Sequence, residues 1–276
     1  MSARDLERAY RIALWKDDPW TPEGRERYRG ALRAFKKLLE HPWLKELVGR
    51  REVSVVDIGA GRGIGGVALA KVLIEGGLSV RLVMVDVRRD AVRDSLKFAG
   101  EEGVAAEAYE MDALKVHTLG KFDLALMYGA ILPHFDAWQF PRLLASTTAA
   151  LKDDGVVVIE EMDRIHYIFR AGYKDFIVEN PKPEEVSFSV HSGYDPVRGT
   201  YKRTYIRART WESVTVPLVF RSISCIASTL WLFVEDVDLV RQAMENLYFV
   251  LGRRPRRALK PEDLENNPAL LRKTMA

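Results

Sequence analysis

One cysteine, Cys225, stands alone in 276 residues. Intrachain disulfides and cysteine metal clusters are therefore excluded, and a reducing, cytoplasmic setting is the expected one. The histidines at 41, 117, 134, 166 and 191 show no ligand spacing, so no metal is expected. Long apolar runs are also missing. The longest apolar-leaning stretch, 223–234, is too short to span a bilayer. The first residues, Met1-Ser-Ala-Arg-Asp-Leu-Glu-Arg8, are charged and lack the apolar centre of a signal peptide. No membrane association follows from this chain. Excess charge of one sign is lacking too: 42 Lys and Arg face 39 Asp and Glu, a net charge of +3, so composition makes no demand for nucleic acid. Gln139 and Gln242 are the only glutamines, while Arg, Lys and Glu abound, a balance expected of a thermophile. There is no G-x-x-x-x-G-K, which excludes a nucleotide P-loop, and no internal repeat or low-complexity segment is visible.

What is present centres on Val53-Ser-Val-Val-Asp-Ile-Gly-Ala-Gly-Arg-Gly-Ile-Gly-Gly66. Val53 to Ile58 is a short apolar, β-branched run that reads as a buried parallel strand. Glycines follow at once, and Val67 to Ile74 reads as a helix. Strand, glycine turn and helix bring backbone N–H groups and a helix N-terminus up to a ligand. Gly61, Gly63 and Gly66 satisfy G-x-G-x-x-G, which in a dinucleotide enzyme would cradle a pyrophosphate. That match sits late, because the first glycine after the strand is Gly59. The pattern Asp57-x-Gly59-x-Gly61-x-Gly63, with its acid inside the strand end, fits better.

With 47% hydrophobic residues the chain can fill a core for one large domain, or for one domain with a cap. Residues 1–50 read as helices broken at Asp17-Asp-Pro-Trp-Thr-Pro22. They either pack against the sheet or form a lid, with Tyr10, Trp15, Trp20 or Tyr28 closing over a ligand. An alternation of strands and helices follows. The strands are 53–58, 80–86, 105–111, 122–128 and 156–161, and such spacing argues for a parallel, doubly wound sheet. The second strand finishes on Asp86, where a carboxylate can accept two hydrogen bonds from a ribose diol. After Glu161 the alternation stops. Met162 to Phe176 looks helical and Asn180-Pro-Lys-Pro183 is a break. Val186 to His191, Tyr201 to Trp211 and Ser213 to Phe220 read as strands, with a turn at 194–199. Ser222 can cap a helix over 223–233. Val234–Val240 and Leu247–Gly252 close as an antiparallel pair.

Four ordered motifs across about 50–162 resemble class I S-adenosylmethionine-dependent methyltransferases: Asp57 to Gly63, Asp86, Asp112-Ala113, and the turn Leu151-Lys-Asp-Asp-Gly155 before the fifth strand. The resemblance implies an α/β fold: a mostly parallel, doubly wound, seven-stranded Rossmann-like sheet. The strands at 184–220 resemble the antiparallel β insertion that small-molecule, glycine N-methyltransferase-like members place over the substrate. The division expected is a helical lid (1–50), a core (51–162 and 221–255), a β cap (163–220) and a C-terminal tail (256–276). The resemblance implies S-adenosylmethionine as cofactor. Its contacts would be Asp57, Gly59, Ala60, Gly61 and Gly63 in the turn, Asp86 and Val87, Asp112 and Ala113, and Tyr128. The loop Tyr128-Gly-Ala-Ile-Leu-Pro-His134 would face the substrate.

Methyl transfer from a sulfonium is an in-line displacement, and a base is needed only if the acceptor must lose a proton. His134 and Tyr128 are the candidate catalytic residues. His134 has the pKa range of a base, and holding the loop by a hydrogen bond is an equal alternative. Tyr201, Arg203, Tyr205, Arg207, Arg209 and Trp211 share one side of an expected strand. That face is either a solvated aromatic and arginine ladder or an anion-binding wall. Tyr194, Arg203, Tyr205 and Arg207 are the candidate substrate residues. The basic run Arg253-Arg-Pro-Arg-Arg257 reads as solvated surface. The leading expectation is a small-molecule methyltransferase, with no nucleic-acid partner and with homo-oligomerisation left open. An RNA or protein methyltransferase, a non-catalytic cofactor-binding subunit and, more distantly, an NAD dehydrogenase remain as alternatives.

Overall fold

A computed structural model describes residues 2–273; Met1 and the last three residues of the expected tail, 274–276, lie outside the described residues. Three helices come first: α1 (Ala3–Ala13), α2 (Pro22–Leu38) and α3 (Pro42–Val48). Pro22 opens α2 at its first turn, and the Thr21 side chain accepts the Gly24 N–H, so the break read at 17–22 is a helix start. The inward face of α2, Tyr28, Ala31, Phe35 and Leu38, packs on the sheet.

The central sheet contains β1 (Glu52–Ile58), β2 (Ser79–Asp86), β3 (Ala106–Glu110), β4 (Phe122–Met127), β5 (Leu151–Met162), β10 (Val234–Arg241) and β11 (Leu247–Pro255). Its order is β3-β2-β1-β4-β5-β11-β10. Six strands run one way; β11 is antiparallel to both β5 and β10. β1 and β4 are buried on both faces, which is why they read as mostly apolar runs, interrupted by Ser54 and Asp57 in β1 and by Asp123 in β4. The helices α4 (Ile64–Glu75), α5 (Arg89–Glu101), α6 (Gln139–Ala149) and α8 (Ile223–Trp231) complete the layers. The strand order reverses between β1 and β4, so their carboxyl ends frame the crevice where open α/β sheets bind ligands.

After β5 comes the short helix α7 (Arg164–Ala171), then a separate four-stranded antiparallel sheet. Its strands, in order, are β6 (Phe176–Asn180), β7 (Ser187–Asp195), β8 (Thr200–Arg207) and β9 (Ser213–Leu218). α1 lies on this sheet, burying Ala9, Ile12 and Ala13 against Tyr205, Val214, Val216 and Leu218.

Three expectations are corrected here. The helix after β5 stops at Ala171, because Gly172 at φ 75° turns the chain, and the unforeseen strand β6 follows. β7 runs on to Asp195 through a bulge near His191, so the turn expected at 194–199 is shorter. β8 ends at Arg207. Trp211 takes φ 57° and its N–H bonds back to the Arg207 carbonyl, so Arg209 and Trp211 leave the expected face. Nor is that face a solvated ladder, because Arg203 and Tyr205 are both buried.

Candidate active site

The turn after β1 has the backbone that its glycines require: Gly59, Gly61 and Gly63 take φ of 69°, 56° and 87°. The Ala60 N–H donates to the Val85 carbonyl at 2.9 Å, stitching the turn to β2. Asp57 is fully buried at the end of β1. Its Oδ2 accepts the Gly66 N–H at 2.7 Å; its Oδ1 is buried and has no partner among the described residues. A Cβ on Gly66 would stand 2.7 Å from that Oδ2, so glycine is what allows α4 to approach the acid. Burial pushes the Asp57 carboxyl up to about 7, with the neighbouring Asp86 charge adding to it.

Asp86 ends β2 beside the turn. Its Oδ2 accepts the Gly61 N–H at 2.8 Å, and its Oδ1 accepts both the backbone N–H and the Nε of Arg88, at 2.8 and 3.4 Å. Arg88 is 2% exposed. Its Nη2 lies 2.9 Å from Asp17 Oδ2, and its guanidinium carbon stands 3.8 Å from the centre of the Tyr10 ring. Arg88 thus bolts the 14–21 segment down over the carboxyl end of β2. Burial raises the Asp17 carboxyl, and Arg88 counters that shift. Asp112 follows β3 and caps a short 3-10 helix through the Leu114 N–H at 3.0 Å, with Ala113 buried behind it. Val87 is half-buried between these acids.

A cavity of about 1360 Å3 opens alongside. Its floor is formed by Tyr128 to Ala130 after β4 and Glu160 near the end of β5. One wall is a face of α2, including Arg27, Arg33 and Lys37; another is the second sheet, through Tyr205 and Leu218, with Phe220 just after its last strand. Residues 241–244, at the end of β10 and in the turn toward β11, close a third side. The Arg27 guanidinium lies over the Tyr128 ring at 5.4 Å and donates to the Lys16 carbonyl at 2.9 Å. Burial, then the Glu160 charge, pushes the Tyr128 phenol above its usual value. His134 is half-buried and its Nδ1 has no partner among the described residues. Burial and the Arg164 and Arg88 charges push it down to about 4, so its imidazole is neutral near pH 7.

The structure gathers Asp57, the glycine turn, Asp86, Val87, Asp112 and Ala113 along one edge, with Tyr128 and His134 at the adjoining cavity. The four expected substrate residues part company. Tyr205 lines the cavity. Arg203 is fully engaged inside the second sheet, donating to Ser189, to the Lys174 carbonyl and to Tyr173. Arg207 donates to the Arg11 carbonyl of α1. Tyr194 is 52% exposed and packs on Tyr201. The expected anion-binding role of Arg203 and Arg207 is therefore corrected to one of holding the second sheet and α1 together. Arg27, Glu160 and Arg88 were missed by the sequence reading. Only Glu160 carried a local signal, as part of an acid pair, Glu160-Glu161, directly after the apolar run Val156 to Ile159.

Residues 55–155 match the family model described as a methyltransferase domain. No curated protein matches the chain. Among solved structures, the PH0226 protein from Pyrococcus horikoshii OT3 is 17% identical, with 89% of this chain and 97% of that one covered and a TM-score of 0.58. The DhpI–SAH complex is 15% identical over 92% and 97%, with a TM-score of 0.57. The sugar N-methyltransferase KedS8 from a Streptoalloteichus species is 13% identical over 82% and 88%, with a TM-score of 0.56. At such identities these likenesses are of fold.

The residues fit S-adenosylmethionine in kind: a glycine turn open to close approach, a buried Asp57 oxygen without a partner, and two further acids in line at the edge. In the described conformation Arg88 already engages one oxygen of Asp86. The family match makes residues 55–155 a methyltransferase domain, and the chain an S-adenosylmethionine-dependent enzyme.

Proposed function

We propose that the enzyme methylates a nitrogen or oxygen of a small molecule held in the 1360 Å3 cavity. The observation that carries this reading is the position of that cavity, which starts at Tyr128 after β4, where that side chain packs against Gly65 at the start of α4, and is walled by α2 and the second sheet. On this reading residues 1–50 act as a lid, 163–220 as a cap, 51–162 with 221–255 as the core, and the tail from 256 stays outside the chemistry. S-adenosylmethionine supplies a methyl group already activated on a sulfonium. Gly59, Ala60, Gly61 and Gly63 would hold its methionine part with Asp57 behind them. Asp86 would meet the ribose, Val87, Asp112 and Ala113 the adenine, and Tyr128 the face toward the acceptor. Holding the acceptor in line is worth on the order of 7–11 kcal/mol. Tyr205 and the neutral His134 would orient the acceptor.

The basic tail supports a small acceptor over RNA. Arg253 pairs with Asp236, Arg256 donates to the Val234 carbonyl, and Arg257 donates to the Thr148 and Leu151 carbonyls. These cations hold the chain's own end, and a nucleic-acid surface needs cations free to face phosphates. Calorimetry with S-adenosylmethionine, S-adenosylhomocysteine and NAD, followed by a metabolite screen for S-adenosylhomocysteine release, tests the reading. Methylation of bulk tRNA or rRNA as fast as any metabolite would overturn it.

A further inference from the structure

Two acids end β5, and alternation sends them to opposite faces. Glu161 has a cation: Arg164 Nε lies 3.4 Å away. Glu160 has none within 4 Å among the described residues, yet it is 6% exposed and borders the cavity floor. Its carboxylate is aimed by two neutral donors, the Gly129 N–H on Oε2 and the Gln242 amide on Oε1, each at 2.9 Å. A buried carboxylate fixed by neutral donors, with no cation in contact, is disfavoured, and a cationic ligand touching it relieves that cost.

We propose that Glu160 is the proton acceptor for an amine substrate, so that the atom methylated is a nitrogen. This rests on the small-molecule reading above. The amine enters as an ammonium ion and supplies the missing positive charge. One N–H bond then breaks, its electron pair stays on nitrogen, and the proton forms an O–H bond on Glu160. The neutral amine so formed has the lone pair that methyl transfer requires. Burial raises the Glu160 carboxyl, which makes it the better base, whereas His134 is pushed down to about 4. The ionisable groups facing Glu160 are Arg27 from α2, Tyr128 after β4 and Glu161 on its own strand. Of these, Arg27 opposes the rise and is too distant to form an ion pair.

The test is Glu160→Gln in the full-length protein. The amide oxygen keeps the Gly129 bond, the Gln242 amide turns so that its oxygen accepts from the new NH2, and the charge is lost. Burial holds the folded pKa of Glu160 above its unfolded value, so its carboxylate weakens the fold as pH rises from the unfolded range of about 4.3 through the folded value. The variant should therefore melt higher than the parent at pH 8, with the gain shrinking toward pH 5. A lower melting temperature at pH 8 would make Glu160 structural and overturn the proposal. In a screen of amine and hydroxyl metabolites for S-adenosylhomocysteine release, amines should be the acceptors. E160Q should lose about 100-fold or more in kcat, bind S-adenosylhomocysteine as the parent does, and recover activity as pH approaches the amine's own pKa. A hydroxyl acceptor used equally by both proteins would also overturn it. If neither protein binds S-adenosylhomocysteine, the cofactor reading fails instead, and the melting curves still judge Glu160.

Discussion

Replacing Arg88 by methionine removes a charge while keeping an unbranched side chain of related length. In the parent that charge lies 2.9 Å from Asp17 and 3.4 Å from Asp86, with side-chain exposures of 2%, 12% and 9%. Removing one partner of a buried ion pair costs about 3–5 kcal/mol, because the other charge is left uncompensated. Asp17 sits on a loop and can swing into water, so the lower end, about 3 kcal/mol, is the expected loss. At roughly 2–4 °C per kcal/mol for a chain approaching this size, the melting temperature should fall by roughly 6–12 °C. The 14–21 segment should also become cleavable by trypsin at Lys16. Cofactor binding should move the other way. If the ribose meets Asp86, it must first displace Arg88 from Oδ1. The backbone N–H of residue 88 keeps its 2.8 Å bond to Oδ1 in the variant and only the Nε bond at 3.4 Å is freed; at about 1 kcal/mol, this should tighten S-adenosylhomocysteine about fivefold in calorimetry. An unchanged melting temperature would refute the clamp. Weaker binding would refute the displacement and make Arg88 a direct cofactor contact.

Asp86→Ala should weaken S-adenosylhomocysteine more than Asp112→Ala, since the first removes up to two charge-assisted hydrogen bonds and the second one; equal, small losses in calorimetry would place the adenosine elsewhere. His134 has a folded pKa near 4 against 6.5 unfolded, so the stability it contributes is present above pH 6.5 and is lost as pH falls toward 4. His134→Asn should flatten the denaturation profile across that window by up to about 3 kcal/mol, and a parallel profile would sink the assignment. Gly66→Ala should destabilise by about 1–3 kcal/mol or more, because its Cβ would meet Asp57 Oδ2 at 2.7 Å, with chemical denaturation as the measure.

The central sheet was legible because burial on both faces writes itself as a local pattern. β1, β4 and the inner part of β5 are mostly apolar runs, and the ends of β1 and β4 were read to within a residue, whereas β5 starts five residues before the expected Val156, through the polar stretch 152–154 that read as a turn. β6 was not legible for the opposite reason. Phe176, Ile177 and Val178 are all substantially exposed on an edge strand, so no alternation separates an inside from an outside. The polarity of β8 was misread for a third reason. Its aromatic and arginine face has a partner, α1, that lies near the start of the chain. A strand's own spacing shows which residues share a face, but not what comes to cover that face.

The same distinction divides the site. Asp57, Asp86 and Asp112 could be named from the sequence because each stands at the end of a strand, and strand ends are local features. Arg88 and Glu160 draw their character from what stands across from them: Asp17 on a distant loop in one case, and no cation within 4 Å among the described residues in the other. A basic pair opening a helix and an acidic pair closing a strand look alike in sequence, as ordinary polar boundaries. Once folded, one member of each pair is buried with an altered balance of charge, Arg88 between two carboxylates and Glu160 between two neutral amides. These two positions have opposite consequences. A fully compensated charge such as Arg88 stabilises the resting structure and must be displaced by a ligand that needs the same oxygen. An uncompensated charge such as Glu160 weakens the resting structure and is completed by a ligand of opposite sign. Opposite shifts in melting temperature from Arg88→Met and Glu160→Gln, measured side by side at pH 8, are therefore the most economical test of both assignments.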